Sequence, residues 1–136
     1  MKLEIFSLCD AATEVAGKLN ILGSFDHVWA KETPVSYPLC AVAAKVRFWK
    51  VEEGNHRIRL NFADEDGKLV MPSIDASVAV RTGADETSAT ANLILHIQQL
   101  KLQKFGEYTM DLAIDGRQEG SVPLYVRELK DKNPPV

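Results

Sequence analysis

The sequence predicts an all-β fold, an antiparallel two-sheet β-sandwich of about eight strands. Apolar residues recur with a period of two in most segments of the chain, as they do in half-buried antiparallel strands. Turns rich in Gly, Pro and Asp separate these segments. Only residues 10–18 and 93–104 approach the 3.6-residue period of a helix, and the β pattern around them favours strand for 93–97.

The N-terminal part of the chain predicts two strands. Residues 2–9 form the first, and their apolar parity changes between Ile5 and Phe6, as it would at a β-bulge. Residues 10–17 are expected to be a polar connection. Residues 17–29 resume the alternation and form the second strand.

The clearest alternation runs over residues 40–48, and it returns over residues 57–62 after a turn at 52–55. Two alternating segments joined by a short polar turn predict a β-hairpin. On this hairpin one face is apolar and the other is basic. The outward residues of the basic face are Lys45, Arg47, Trp49, Arg57 and Arg59.

The rest of the chain continues the β pattern. Residues 64–67 predict a turn, and Pro72 interrupts the strand that extends to residue 80. Residues 89–97 form a strand, and residues 105–128 form a hairpin around an Asp-Gly turn. Shared parity predicts a core that contains Val42, Val46, Leu60, Phe62, Val78, Leu112, Ile114 and Leu124.

Length and composition predict one domain over residues 1–129, followed by a flexible tail at 130–136. A net charge of −3 provides no overall attraction for nucleic acid or an anionic membrane. No window is apolar enough for a membrane span, and Glu4 and Asp10 interrupt any signal-peptide core. We therefore expect a cytoplasmic protein in which Cys9 and Cys40 are reduced and buried.

Part of the sequence resembles known β domains. Gly106 to Tyr108, followed by alternation and an Asp-Gly turn, resembles the late hairpin of immunoglobulin-like domains, in which a tyrosine anchors a corner. Met110 stands where antibody domains have a cysteine, so their disulfide does not carry over. A closer resemblance is to a family of uncharacterised bacterial small β-sandwich domains of unknown function, through residues 1–10, 17–25 and 105–126. This resemblance implies a fold and a bacterial setting without an activity.

Motifs for catalysis, metals and cofactors do not emerge from the residue spacing. The three histidines, His27, His56 and His96, lie on different predicted strands without the short spacing of zinc ligands. Residues 64–67 lack the loop pattern of a calcium site, and the sequence contains no nucleophile elbow or phosphate-binding glycine loop. We predict no catalytic, metal or cofactor residue, with an enzyme whose site is dispersed over distant loops as an alternative.

The leading prediction is a non-enzymatic interaction or structural module with an unknown protein partner. An alternative is a ligand or polyanion binder that uses the basic hairpin face, unless carboxylates such as Asp75 on a neighbouring strand neutralise it. Trp29 is either a further contact residue or a rim residue that closes the core.

Residues 93–97 are apolar on both sides of the strand. Ile94 must then lie under a loop such as 98–105 or meet another chain, and we predict a homodimer with Ile94 and His96 at its interface.

Overall fold

Nine strands account for most of residues 1–130, the part of the chain that the computed structural model describes. A 3₁₀ turn at Lys50–Glu52 connects β4 to β5. Of the predicted tail, residues 131–136 lie outside the described residues. The strands are β1 Lys2–Val15, β2 Lys18–Ser24, β3 His27–Ala30, β4 Val35–Trp49, β5 Gly54–Ala63, β6 Ile74–Val80, β7 Ser88–Leu102, β8 Gly106–Ile114 and β9 Arg117–Glu128.

The strands form two packed sheets, which confirms the predicted all-β sandwich. Sheet A has the order β2-β1-β4-β7, and sheet B has the order β3-β9-β8-β5-β6. Neighbouring strands are antiparallel except β3 and β9, which are parallel. The predicted second strand is therefore divided, because the chain leaves sheet A after Ser24 and enters sheet B at His27.

The core lies between the two sheets and consists of the inward residues that alternation predicts. Seven of the eight predicted core residues are buried, and Val78 is half-buried because β6 is an edge strand. The bulge predicted in β1 is present as a register shift between Leu3 and Ile5. The buried seven are Val42, Val46, Leu60, Phe62, Leu112, Ile114 and Leu124.

The predicted hairpin of β4 and β5 is wrong. β4 pairs with β1 and β7 in sheet A, whereas β5 pairs with β6 and β8 in sheet B. Alternation identifies the apolar face of each strand, and two such faces can meet across a sandwich core as well as lie side by side in one sheet. The 3₁₀ turn carries the chain from one sheet to the other.

The predicted polar connection at residues 10–17 is also wrong, because β1 continues to Val15 and turns back into β2. Ala16 and Gly17 both have positive φ, 52° and 76°, as hairpin turns of the type I′ class require. Residues 10–24 form a hairpin arm, whose tip reaches β7 where Asn92 Nδ2 donates to the Gly17 carbonyl at 3.1 Å.

The hairpin arm covers a second apolar cluster, separate from the core between the sheets. Ile94 belongs to this cluster, so its apolar environment comes from within the chain. The predicted cover at residues 98–105 is wrong, because residues up to Leu102 continue β7. A homodimer through Ile94 and His96 stays a prediction. The cluster contains buried Cys9, Ala12, Ala41 and Ala43, with Leu19, Ile21 and Ile94 packed against them.

Both cysteines are free and buried, as expected. Cys40 faces the main core, whereas Cys9 belongs to the cluster under the hairpin arm. Burial raises the pKa of Cys40 to about 11, so its thiol stays protonated at neutral pH. The two residues therefore act as small apolar side chains.

Tyr108 anchors the start of β8 to the preceding loop. Its hydroxyl donates to the Lys104 carbonyl at 2.6 Å and accepts from the Lys104 N–H at 3.2 Å. Such a bond to the backbone a few residues upstream is the one a tyrosine corner makes. The immunoglobulin-like arrangement as a whole stays a prediction. Within residues 1–130, no helix has the length and hydrophobicity needed to cross a bilayer.

Candidate functional site

The residues predicted to contact a ligand or partner lie on two different sheets. Because β4 and β5 belong to different sheets, the predicted basic face does not exist as one surface. Lys45, Arg47 and Trp49 lie on β4 and Ile94 and His96 on β7, all in sheet A, whereas Arg57, Arg59 and Trp29 lie in sheet B.

On sheet A, Arg47 is already occupied. Its guanidinium donates to Glu4 at 2.8 Å and to the Ser88 hydroxyl at 2.8 Å. The hydrogen bond from Arg47 holds the pKa of Glu4 below its usual value, so the pair stays charged. Trp49 is 44% exposed at the end of β4. This region therefore offers the exposed ring of Trp49, but the charge of the neighbouring Arg47 is neutralised by Glu4.

A concavity lies on sheet B, beside β5. It encloses about 650 Å³ and opens to solvent between β5, β6 and the β8–β9 turn. Three small residues, Ala76, Ala113 and Gly116, leave room between longer polar side chains. We call this concavity the β5 groove; its polar lining consists of Arg57, Arg59, Asn61, Asp75, Asp115 and Gln118.

The two arginines of the β5 groove differ in their partners. Arg59 donates from Nε to Asp75 Oδ1 at 2.8 Å and from Nη2 to Asp75 Oδ2 at 3.3 Å. This confirms that Asp75 neutralises one arginine, and the hydrogen bond lowers the pKa of Asp75. Within residues 1–130, the Arg57 guanidinium has no ion pair. Arg57 is thus the cation of the groove that can receive an anion.

Asp115 connects the β5 groove to a histidine at the end of the core. It has a positive φ of 53° in the β8–β9 turn, and its Oδ1 accepts from the Arg57 backbone N–H at 2.9 Å. Its Oδ2 lies 2.6 Å from His56 Nδ1, and His56 Nε2 lies 2.6 Å from the Glu52 carbonyl. The imidazole also stacks on Phe48, with ring centroids 4.4 Å apart. Because both ring nitrogens face acceptors, His56 satisfies both contacts only as the imidazolium.

This arrangement predicts a loss of stability at alkaline pH. Burial lowers the pKa of His56, but the bonds to Asp115 and Glu52 outweigh it and leave the pKa raised above 6.5. The stabilisation is therefore complete below pH 6.5 and lost as pH rises through the folded pKa. We expect the free energy of unfolding to fall by about 1 kcal/mol between pH 6 and 8.5, as for a partly exposed ion pair.

Urea unfolding at both pH values measures this difference. The variant His56→Gln should lose this pH dependence, and His96→Gln, which replaces an exposed side chain on β7, should retain it. An equal pH dependence in His56→Gln and wild type would show that His56 is not its source.

An aromatic row marks the opposite edge of sheet B. His27 stacks on Trp29 with centroids 5.6 Å apart, and it lies 5.0 Å from Tyr125. The guanidinium of Arg127 lies over Tyr125, 5.0 Å from the ring centroid. Trp29 is half-buried in this row and also borders a cavity of about 410 Å³ with Phe105. Its predicted role as a contact stays a prediction.

A comparison with family models decides where the chain belongs. A model described as "Family of unknown function (DUF6941)" matches residues 4–127, from β1 into the last strand, β9. The chain belongs to this family. The predicted resemblance to an uncharacterised domain family is therefore confirmed, while a bacterial origin stays a prediction. No curated protein matches the chain.

Sequence reasoning missed four residues of this DUF6941 domain that shape its surfaces: His56, Asp115, His27 and Tyr125. One of them carried a usable signal, because His56 shares the inward parity of Ile58 and Leu60. The sequence predicts Asp115 only as a turn residue. His27 and Tyr125 meet through the parallel pairing of β3 with β9, which no local pattern indicates. Among residues 1–130, no three His, Cys, Asp or Glu side chains are grouped so that they could hold a metal ion.

Proposed function

We propose that this DUF6941 domain is a non-catalytic binding module that recognises an acidic side chain of a partner protein in the β5 groove. The observation that carries the proposal is Arg57, which lines the β5 groove and whose guanidinium has no ion pair within residues 1–130. A guanidinium presents a planar fork of donors that matches a carboxylate.

The neighbours of Arg57 support a carboxylate as the ligand. Gln118 lines the same groove, and its amide group can donate to an oxygen atom that Arg57 leaves unbound. The groove lies on paired strands of sheet B, so its donors are held by a hydrogen-bonded backbone. A preorganised donor set reduces the ordering cost of binding.

The charges of the groove favour one anionic group over a polyanion. Asp75 neutralises Arg59, and Asp115 lies beside His56, so Arg57 contributes the unbalanced positive charge. The open shape fits a side chain on an extended segment better than an enclosed small molecule. A partner strand that crosses the sheet face could place its glutamate or aspartate there.

The proposal can be tested with a blocked Gly-Glu-Gly peptide in an amide NMR titration. We expect concentration-dependent shifts at Arg57, Ala113 and Gly116. The variant Arg57→Gln should weaken binding about tenfold, since a hydrogen bond to a charged group accounts for about 1.4 kcal/mol or more.

Two controls make this test specific. Arg47→Gln removes an arginine paired with Glu4 on the other sheet and should bind the peptide as the wild type does. A blocked Gly-Gln-Gly peptide keeps the shape and loses the charge. Equal shifts with both peptides, or unchanged affinity in Arg57→Gln, would refute the proposal, and much tighter binding of heparin would favour a polyanion.

A further inference from the structure

We infer that the protonation state of His56 regulates the β5 groove, which binds its anion more tightly when His56 is protonated. This inference rests on the proposed function, since it concerns the same site. His56 does not line the groove. It acts through Asp115, which lines the groove on one side and contacts the imidazole on the other.

The Asp115 carboxylate connects His56 to Arg57. Asp115 Oδ1 accepts from the backbone N–H of Arg57, and the Asp115 N–H donates to the Arg57 carbonyl at 2.8 Å. Asp115 Oδ2 is bonded to His56 Nδ1. The Asp115 carboxylate therefore contacts both the titrating imidazole of His56 and the backbone of Arg57, whose guanidinium binds the ligand.

Three elements place a charged or aromatic group beside His56, and the strand that pairs with it, β6, places the uncharged Val78 opposite it. From the 3₁₀ turn comes Glu52, whose carbonyl faces Nε2 and whose carboxylate bonds the Met1 ammonium at 2.8 Å and the Trp49 N–H at 2.9 Å. From β4 comes the uncharged ring of Phe48, and from the β8–β9 turn comes the Asp115 carboxylate.

The pKa values identify which of these groups changes charge. The Met1 ammonium and the Trp49 N–H lower the pKa of Glu52, and the Arg57 N–H and His56 lower that of Asp115. Both carboxylates therefore stay ionised above pH 6. The pKa of His56 is raised, despite its burial, by the bonds to Asp115 and Glu52. Among His56, Glu52 and Asp115, His56 is thus the group that loses a proton as pH rises through its raised pKa.

Deprotonation of His56 leaves the negative charge of Asp115 unbalanced at the edge of the β5 groove. While His56 is charged, the imidazolium balances Asp115, and Arg57 is available to the ligand. Once His56 is neutral, Asp115 repels an incoming carboxylate and attracts the Arg57 guanidinium. A unit charge a few ångströms away contributes about 1 kcal/mol in water, which corresponds to about fivefold in affinity.

The test is the Gly-Glu-Gly titration at pH 6.0 and pH 8.5, where the peptide glutamate is ionised throughout because its usual pKa is about 4.3. We expect the wild type to bind about fivefold more weakly at pH 8.5. His56→Gln should bind weakly at both pH values. Asp115→Asn removes the competing charge and should lose the pH dependence of binding. His96→Gln serves as the matched histidine control and should behave as the wild type.

The outcomes separate this inference from the function on which it rests. Equal wild-type affinity at both pH values, with binding that still depends on Arg57, would overturn the inference and leave the proposed function intact. A pH dependence that persists in both His56→Gln and Asp115→Asn would overturn it as well. Absence of binding at both pH values would overturn the proposed function and the inference together. Amide spectra of each variant establish that it is folded.

Discussion

Replacing Leu112 with alanine is expected to lower the free energy of unfolding by about 2 to 5 kcal/mol. Leu112 is buried in β8, near the middle of sheet B, and is opposite Leu60 on β5 and Gly120 on β9. A Cβ atom at Gly120 would lie 2.3 Å from Leu3 of sheet A, so the two sheets are in close contact at this point. Close contact leaves little freedom for neighbours to fill the cavity.

Urea unfolding of the wild type and Leu112→Ala measures this cost. The control is Arg47→Ala on the outer face of sheet A, which removes a partly exposed ion pair and should cost about 1 kcal/mol or less. If Arg47→Ala were the more destabilising of the two, the core assigned to sheet B would be wrong.

The sequence determines which side of each strand faces the core, and this part of the fold could be predicted. Leu112 and Leu60 were placed correctly from parity alone, because one buried face imposes a period of two on any strand. Parity does not predict which strands pair with one another. The apolar faces of β4 and β5 are equally compatible with a hairpin and with opposite sheets, and only the complete set of pairings distinguishes them.

In the candidate site, too, the sequence predicts the face on which a residue lies but not its distant contacts. The sequence predicts that Arg57 and Arg59 lie on a polar face that Asp75 can neutralise, because outward parity on neighbouring strands brings such residues together. Asp115 could not be connected to His56, since the two are far apart in sequence and meet only through the turn after β8. The candidate site therefore depends on tertiary contacts that alternation does not encode.

Ile94→Lys is expected to lower the free energy of unfolding by about 2 to 3 kcal/mol, whatever the protein concentration. Ile94 is half-buried and packs against the cluster that contains buried Ala41 and Ala43, and the hairpin arm packs against the same cluster through Leu19 and Ile21. A lysine there removes apolar contact and places an ammonium against side chains that cannot accept a hydrogen bond. Because the cover belongs to the same chain, dilution should not change the cost.

Urea midpoints at two protein concentrations, together with sedimentation, test this expectation. The matched control is His96→Lys, two residues along β7 with an exposed side chain, and it should change stability by less than about 0.5 kcal/mol. The homodimer predicted from the sequence gives a different result, because Ile94 and His96 would then lie at the interface. In that case the wild type sediments as a dimer, both substitutions reduce its mass, and the cost of Ile94→Lys decreases on dilution as the wild type itself dissociates.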